Sequence, residues 1–453
     1  MSWLMLSEVA AMLDAEMVGP DVALTKVSTD TREDVASALF FALQGPNFDA
    51  HQVLDKETAL PLAGLVVARK VAHPASYIVV DDTRMALGKL AAAWRQRCKA
   101  LVIGLTGSNG KTTVKEMLAN ICTEKGATLA TAGNLNNDIG VPLTLLRLRP
   151  EHAYAVIEMG ANHPGEIRYL SDLAKPDVAL LLNATAAHLE GFGSVDAVAD
   201  AKGEIFSSLD QDGIAVINVD SPFASRWKAL NLQRSVVTFG IGEAADSRVV
   251  RITPLLLALA GELLDIELDL PGRHNALNAA AAAAAAHAAG VESAAIVRGL
   301  EATSAVAGRL AQMTGLQGAV LIDDSYNANP ASLQAAIEVL AARSGKRYLV
   351  LGDMAELGGD AAALHAGIGR AASEAGIEGL LALGALSARA TEAFGRGGEW
   401  FASIDELLDR LLQLVARDVT LLVKGSRSAG MERVVRAMQA DTANGSEETH
   451  HAA

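Results

Sequence analysis

Short apolar runs alternate with amphipathic stretches along most of this chain. Leu101–Leu105 is an uninterrupted apolar run of strand length, and Val114, Met117, Leu118 and Ile121 recur on one helical face soon after it. Further runs end at polar residues: Tyr154–Ile157 at Glu158, Val178–Leu182 at Asn183, and Ile214–Ile217 at Asn218. The alternation resumes with Ala319–Ile322, Tyr348–Leu351, Leu380–Leu383 and Val419–Val423, separated by helical stretches such as Ser332–Ala342 and Asp405–Ala416. Continuous apolar runs, rather than every second residue, are what strands of a parallel sheet need when both faces are covered. The pattern predicts an α/β protein of three domains. Residues 84–312 form a central phosphate-loop sheet domain, and 313–453 a Rossmann-like, doubly wound one. Residues 1–83 predict a smaller mixed α/β domain, with strands at Leu39–Leu43, Gly64–Val67 and Tyr77–Val80 and a polar turn at Ser28–Arg32. The helix Arg84–Arg97 leads out of it. Ala279–Ala286 is an unbroken alanine run, strongly helical, whose small side chains suggest close packing against a neighbour. The polar tail after about residue 441 is expected to fray.

Composition narrows the function classes. A formal charge of −15 argues against a nucleic-acid surface. Cys98 and Cys122 have neither metal nor pairing spacing and read as core residues. No signal-peptide pattern opens the chain and no apolar run is long enough to span a bilayer, so a cytoplasmic protein without membrane insertion is expected.

The chemistry starts after Leu101–Leu105. Thr106-Gly107-Ser108-Asn109-Gly110-Lys111-Thr112-Thr113 joins a strand to a helix N-terminus. Glycines there let backbone N–H groups close around phosphate oxygens. Lys111 reaches the outer phosphates and Thr112 offers a hydroxyl to Mg²⁺. The strict phosphate-loop pattern has a Gly where Leu105 stands, so the loop is a variant, and it predicts a nucleoside triphosphate site. Glu158, at a strand end, suits Mg²⁺, and a capping glutamate is the other reading. His188 is either a metal ligand or structural. Lys202, taken alone, reads as a solvated helix residue. Asn134, Asn136, Asn137 and Asp138 make a dense polar loop suited to a sugar, amide or phosphate, or to turn chemistry alone. Asn275 reads as a base contact or a helix cap. Asp323, Asp324, Asp353 and Lys424 follow strand ends of the third domain, where open α/β sheets bind ligands. Asn327, Asn329 and Arg427 share that crevice, which suits a carboxylate or a phosphate.

Taken together, these segments resemble the Mur ligases, amide-forming enzymes of bacterial cell-wall synthesis. The phosphate loop is common to that superfamily. The stretches AsnLeuAsnAsnAspIleGlyValPro (134–142), GluMetGlyAlaAsnHisProGlyGluIle (158–167), AspSerTyrAsnAlaAsnPro (324–330), LeuGlyAspMetAlaGluLeuGly (351–358) and LysGlySerArgSer (424–428) narrow it. They point to the branch acting on UDP-N-acetylmuramoyl-tripeptide and D-alanyl-D-alanine. The resemblance implies ATP bound by Gly107, Ser108, Asn109, Gly110, Lys111, Thr112 and Thr113. It implies two Mg²⁺ ions held through Thr112, Glu158, His188 and a carbamylated Lys202. Asn275, Arg309 and Asp324 would position adenine, phosphate and ribose. Ser28, Thr29, Asp30, Thr31 and Arg32, with Asn134, Asn136 and Asn137, would meet the UDP-muramoyl moiety. Asn327, Asn329, Asp353, Lys424 and Arg427 would serve domain closure and the dipeptide. A monomer is expected. Ser37, Ala38 and Ala50 depart from the family pattern, all in the first domain.

Overall fold

The computed structural model describes residues 3–440, so the polar tail lies outside the described residues. Three large sheets follow one another along the chain. The first has five strands in the order Met17–Val18, Ser76–Val79, Gly64–Val67, Ala38–Phe41, Lys26–Ser28, all paired parallel except the first pair. The central sheet has nine. Its parallel part runs Thr128–Ala130, Tyr154–Glu158, Leu101–Thr106, Val178–Leu181, Ile214–Asn218, Ser235–Gly240, Ser247–Arg251. The third has six, in the order Ala311–Thr314, Val320–Asp324, Val419–Lys424, Lys346–Gly352, Gly379–Leu383, Gly398–Phe401, antiparallel only at its first pair.

The central sheet is not wholly parallel, as the sequence pattern led us to expect. Leu255–Leu259 and Glu262–Ile266 add an antiparallel hairpin at its far edge. The two-residue loop Ala260-Gly261 has positive φ at both positions, the geometry of a tight hairpin turn. Alanine at the first of them gives none of the usual Asn-Gly signal, and leucines on both faces hide the period-two alternation.

The alanine run packs as its composition requires. In the helix Arg273–Ala288, residues 279–286 are fully buried between the sheet and the phosphate-loop helix Lys111–Thr123. Interiors are packed near crystal density, so larger side chains along that run would push two layers apart. Nearby, Ile121 leaves no room for a Cβ at Gly299, which seats the helix Ser293–Glu301 on the same helix. Cys122 lies in this core, where burial pushes its thiol up to about 12, and Cys98 is also buried and free.

The helix Thr83–Arg97 joins the first two sheets physically as well as in sequence. Asp82 caps it by accepting from Arg84 N and Met85 N. Its face of Leu87, Leu90, Ala91 and Trp94 belongs to one hydrophobic core that spans both units. Trp94 donates to Leu148 O on the central side, and its ring meets Trp3 edge-on with centroids 4.5 Å apart on the other.

Candidate active site

A cleft of about 1100 Å³ lies where the carboxyl ends of the central and third sheets face one another. Its floor is the phosphate loop. Leu105, at the position where a strict motif has Gly, lies fully buried in the strand and pairs with Glu158, so the loop proper starts at Gly107. Gly107 has no space for a side chain, because a Cβ would lie 2.9 Å from that of Leu182. Gly110 begins the helix at φ +84, a conformation that costs an L-residue roughly 1–2 kcal/mol. Asn183 clamps the loop, accepting from Ser108 N through its carbonyl (3.1 Å) and from Asn109 N through its side chain (2.9 Å). Lys111 folds back to donate to Gly107 O at 2.7 Å. Burial, with Arg309 nearby, pushes its ammonium below the usual lysine range, against the pull of Glu158.

Glu158 is almost completely buried. Its Oε1 accepts from Asn136 Nδ2 at 2.7 Å, and its backbone N–H donates to Thr131 Oγ1. Its Oε2 has no hydrogen-bond partner among the described residues. A buried carboxylate oxygen without a partner is costly, and this one, in the cleft wall, has unused acceptor capacity. The polar loop before it divides its work. Asn136 orients Glu158, Asn137 accepts from Ile139 N and Gly140 N at the start of the helix Gly140–Leu145, and Asn134 lies outside the cleft walls.

Lys202 corrects the reading of a solvated helix residue. It is 1% exposed, on the helix Val195–Gly203, with its Nζ 3.4 Å from Ala161 O and 5.6 Å from the Phe192 ring centroid. No carboxylate among the described residues pairs with it. Burial, with the charge of Lys111 adding to it, brings its ammonium down to about 7. His188 sits at φ +54 and hydrogen-bonds Glu356 of the third domain through Nδ1. Burial lowers its pKa, partly offset by Glu356.

Asn275 lines the cleft and caps nothing: the helix starts after Gly272, and Asn275 donates to Pro271 O while accepting from Asn278 Nδ2. Arg309 stands 3.5 Å from Thr112 Oγ1, with its guanidinium 4.0 Å above the Tyr326 ring. Asn329 caps the helix Pro330–Ala341 and donates to Asn109 Oδ1 at 2.7 Å, tying the third domain to the phosphate loop.

Three expected positions fall differently. Lys424 lines the cleft together with Asp324 but is not a free cation: it is buried, pairs with Asp324 at 2.6 Å and donates to Asn327 O. Burial pushes the Asp324 carboxyl up against the pull of Lys424. Lys424→Met should therefore destabilise the protein by about 3–5 kcal/mol, the cost of leaving one buried charge alone, measurable by denaturant unfolding. A loss below about 1 kcal/mol would mean that the pair is not closed in solution. Asp353 does not line the cleft; its carboxylate accepts from Ser387 N and Oγ and from Leu386 N, closing a turn. The turn Ser28–Arg32 also lies outside the cleft, with Asp30 and Arg32 paired to each other while Thr29 and Thr31 complete the bend. Asn327 and Arg427 do line it. Of the first-domain departures, Ser37 occupies a left-handed φ of +58, where a glycine carries no strain, and Ala38 and Ala50 are buried.

Residues that the sequence reading left unassigned also line the cleft, among them Arg84, Tyr169, His274, Asn278, Tyr326 and Glu356. Asn278 and His274 flank Asn275 on the same helical turn, so helical spacing around that residue was the signal available.

Two family models match this chain: the Mur ligase middle domain over residues 105–286, and the Mur ligase, glutamate ligase domain over residues 308–427. The chain is 48% identical to the UDP-N-acetylmuramoyl-tripeptide–D-alanyl-D-alanine ligase of Escherichia coli K12, across 96% of its own length and 98% of that protein. The enzyme of the same name from Bacillus subtilis is 33% identical, over 94% and 96% of the two chains. Among solved structures, MurF from Acinetobacter baumannii superposes with a TM-score of 0.89 at 35% identity, covering 95% of this chain and 97% of that one. A MurF ligase from Thermotoga maritima, solved in complex with ADP, gives 0.81 at 27% identity, covering 91% and 96%.

Proposed function

Since the chain belongs to the Mur ligase family, we propose that it joins D-alanyl-D-alanine to UDP-N-acetylmuramoyl-tripeptide at the expense of ATP. The products are UDP-N-acetylmuramoyl-pentapeptide, ADP and phosphate, and the step belongs to peptidoglycan precursor synthesis. The observation that carries this reading is the juxtaposition of a phosphate loop, an unpartnered buried carboxylate oxygen on Glu158 and the polar strand ends of a second α/β domain, all around one cleft.

A carboxylate does not acylate an amine at neutral pH, because its leaving group would be oxide. The terminal carboxylate of the tripeptide therefore attacks the γ-phosphorus of ATP, the bond to ADP breaks, and an acyl phosphate forms. The amine of the dipeptide then attacks the carbonyl carbon. The tetrahedral intermediate expels phosphate, and the amine proton passes to a base in the cleft. In this reading the backbone N–H groups of 107–113 hold the triphosphate, and Lys111 swings from Gly107 O to its outer oxygens. Arg309 adds a second cation beside Thr112. Asn275 meets adenine and Asp324 the ribose. Glu158, with Thr112, His188 and a carbamylated Lys202, would hold two Mg²⁺ ions. The buried Glu158 Oε2, with no hydrogen-bond partner among the described residues, fits a hard cation. When bound, Mg²⁺ neutralises the phosphate charge and orients the γ-phosphoryl group. Asn136 keeps Glu158 in place. Asn329 and Glu356 hold the third domain, with Asn327 and Arg427 toward the dipeptide, against the phosphate loop, excluding water that would hydrolyse the acyl phosphate.

The turn Ser28–Arg32 is given the distal UDP end of this long substrate. Among the described residues no helix is long and apolar enough to cross a membrane. We infer a cytoplasmic enzyme that acts as a monomer, with the cleft walls drawn from the central and third domains of one chain.

Phosphate release measured with ATP, Mg²⁺, the UDP-tripeptide and D-alanyl-D-alanine should require all four. Replacing the dipeptide with glutamate or a single diamino acid should abolish it. Release that ignores the dipeptide would overturn the reading in favour of a sister ligase or a bare ATPase.

A further inference from the structure

The loop after the strand Lys346–Gly352 carries Glu356 at φ +61, a left-handed conformation that a non-glycine residue holds only when its surroundings fix it. Three contacts do so. Met354 N–H donates to His365 Nε2 (2.9 Å), Ala355 N–H to Ser426 Oγ (2.6 Å), and Ser426 N–H to Asp353 O (3.0 Å). His365 is fully buried, and its Nδ1 faces Ala361 O at 2.7 Å, so Nδ1 is the donor and Nε2 the acceptor.

From this platform Glu356 reaches the central domain twice. Its carboxylate meets His188 Nδ1, and its carbonyl accepts from Glu190 N at 3.3 Å. A carboxylate can only accept, so Nδ1 of His188 carries the ring proton. Nε2 has no hydrogen-bond partner among the described residues and in the neutral ring carries the lone pair, and both side chains line the cleft. His188 itself sits at positive φ, at the start of a four-residue helix, and among the described residues no other side chain bonds its ring.

We propose that Glu356 is a positioning residue of the ligase reaction: on docking of the third domain it fixes the ring and tautomer of His188, so that this side of the triphosphate site is complete only when the domain is docked. Carboxylates that hold the second nitrogen of a ligating histidine act in this way at metal sites. The consequence is coupling. The domain that helps enclose the dipeptide also completes the site that activates the carboxylate, so ATP cleavage waits for closure. The inference rests on the reading of His188 as a ligand at the triphosphate.

The test compares wild type with Glu356→Ala and Glu356→Gln. With saturating ATP, UDP-tripeptide and D-alanyl-D-alanine, the alanine variant should lose about 10–100-fold in kcat. Its affinity for ATP alone, measured by calorimetry without the other substrates, should stay within about twofold, the expectation for a contact made only on closure. Glutamine still offers an acceptor to Nδ1–H and should recover most of kcat. In histidine-¹⁵N-labelled protein with a non-hydrolysable ATP analogue and UDP-tripeptide, His188 should show the Nδ1–H tautomer in wild type and a mixture in Glu356→Ala. Wild-type kcat in the alanine variant, a glutamine variant as poor as alanine, or an unchanged tautomer would each overturn the proposal. If wild type forms no pentapeptide at all, the ligase reading fails, and the tautomer comparison still decides the role of Glu356.

Discussion

Lys111→Ala is expected to lower turnover by about 100- to 1000-fold or more, the scale lost when one preorganised cationic or hydrogen-bonding group is removed from a reacting anion. The same substitution should not weaken the fold. Among the described residues the one hydrogen bond of the Lys111 side chain is to Gly107 O, on its own loop. Burial holds its ammonium below the usual lysine range. A lysine whose folded pKa is depressed binds its proton less tightly folded than unfolded. The charged side chain is therefore a cost to folding at neutral pH, relieved as pH rises through the folded pKa. Removing it should leave the melting temperature unchanged or slightly raised in the absence of ATP. Thermal melts and kcat on the same preparation separate the two effects. Near-normal turnover would sink the phosphate role, and a melting temperature lowered by many degrees would make Lys111 a structural residue.

Lys111 also marks what the sequence makes legible. Its loop is contiguous, eight residues between an apolar run and an amphipathic one, so the local pattern suffices. Glu158 was singled out for a similar reason, as an acid ending an apolar strand, and the structure places it in the cleft wall. The alanine run announced its packing because only a close neighbour explains so many small side chains.

What escaped the sequence depends on contacts distant along the chain. Lys424 looks like a free cation until Asp324, 100 residues earlier, is placed 2.6 Å away. Asp353 looks like a ligand residue until Ser387 and Leu386 close around it. Both follow strand ends, where ligand-binding and loop-bracing side chains have the same one-dimensional signature. Glu356 lies in the stretch 351–358 that helped narrow the resemblance, but its contact could not be read there, because its partner His188 belongs to another domain. The antiparallel hairpin at 255–266 was hidden by apolar residues on both faces of its strands. In each case the missing information is which surfaces meet, and that is set by the fold rather than by local period.

Lys202 is the sharpest case, and it carries the second large effect. Local pattern makes it a surface lysine. The structure buries it, with one long contact to Ala161 O and no carboxylate paired with it among the described residues, and burial brings its ammonium down to about 7. At pH 8 most of it is then the neutral amine, the form able to add CO₂; in the proposed carbamylation an N–C bond would form, a proton would leave, and the neutral amine would become an anion. Lys202→Ala should cost about 100- to 1000-fold in kcat, with partial recovery on adding a small carboxylate such as acetate. Wild type in CO₂-depleted buffer should lose activity and regain it with bicarbonate, more completely as pH rises through about 7. A ¹³C-bicarbonate carbamate resonance should be present in wild type and absent in the variant. Linkage supplies a control without catalysis. The folded pKa lies below the unfolded one of 10.5, so the unmodified ammonium costs stability in full below pH 7, and the cost diminishes above it. Lys202→Met, similar in volume and uncharged, should therefore be more stable than wild type by at least about 1 kcal/mol at pH 6 without CO₂. A methionine variant less stable than wild type there, together with no rescue by carboxylate, would make Lys202 a structural residue. Burial of the unmodified ammonium weakens the fold, the proposed carbamate would give that burial a use, and these two measurements test both halves.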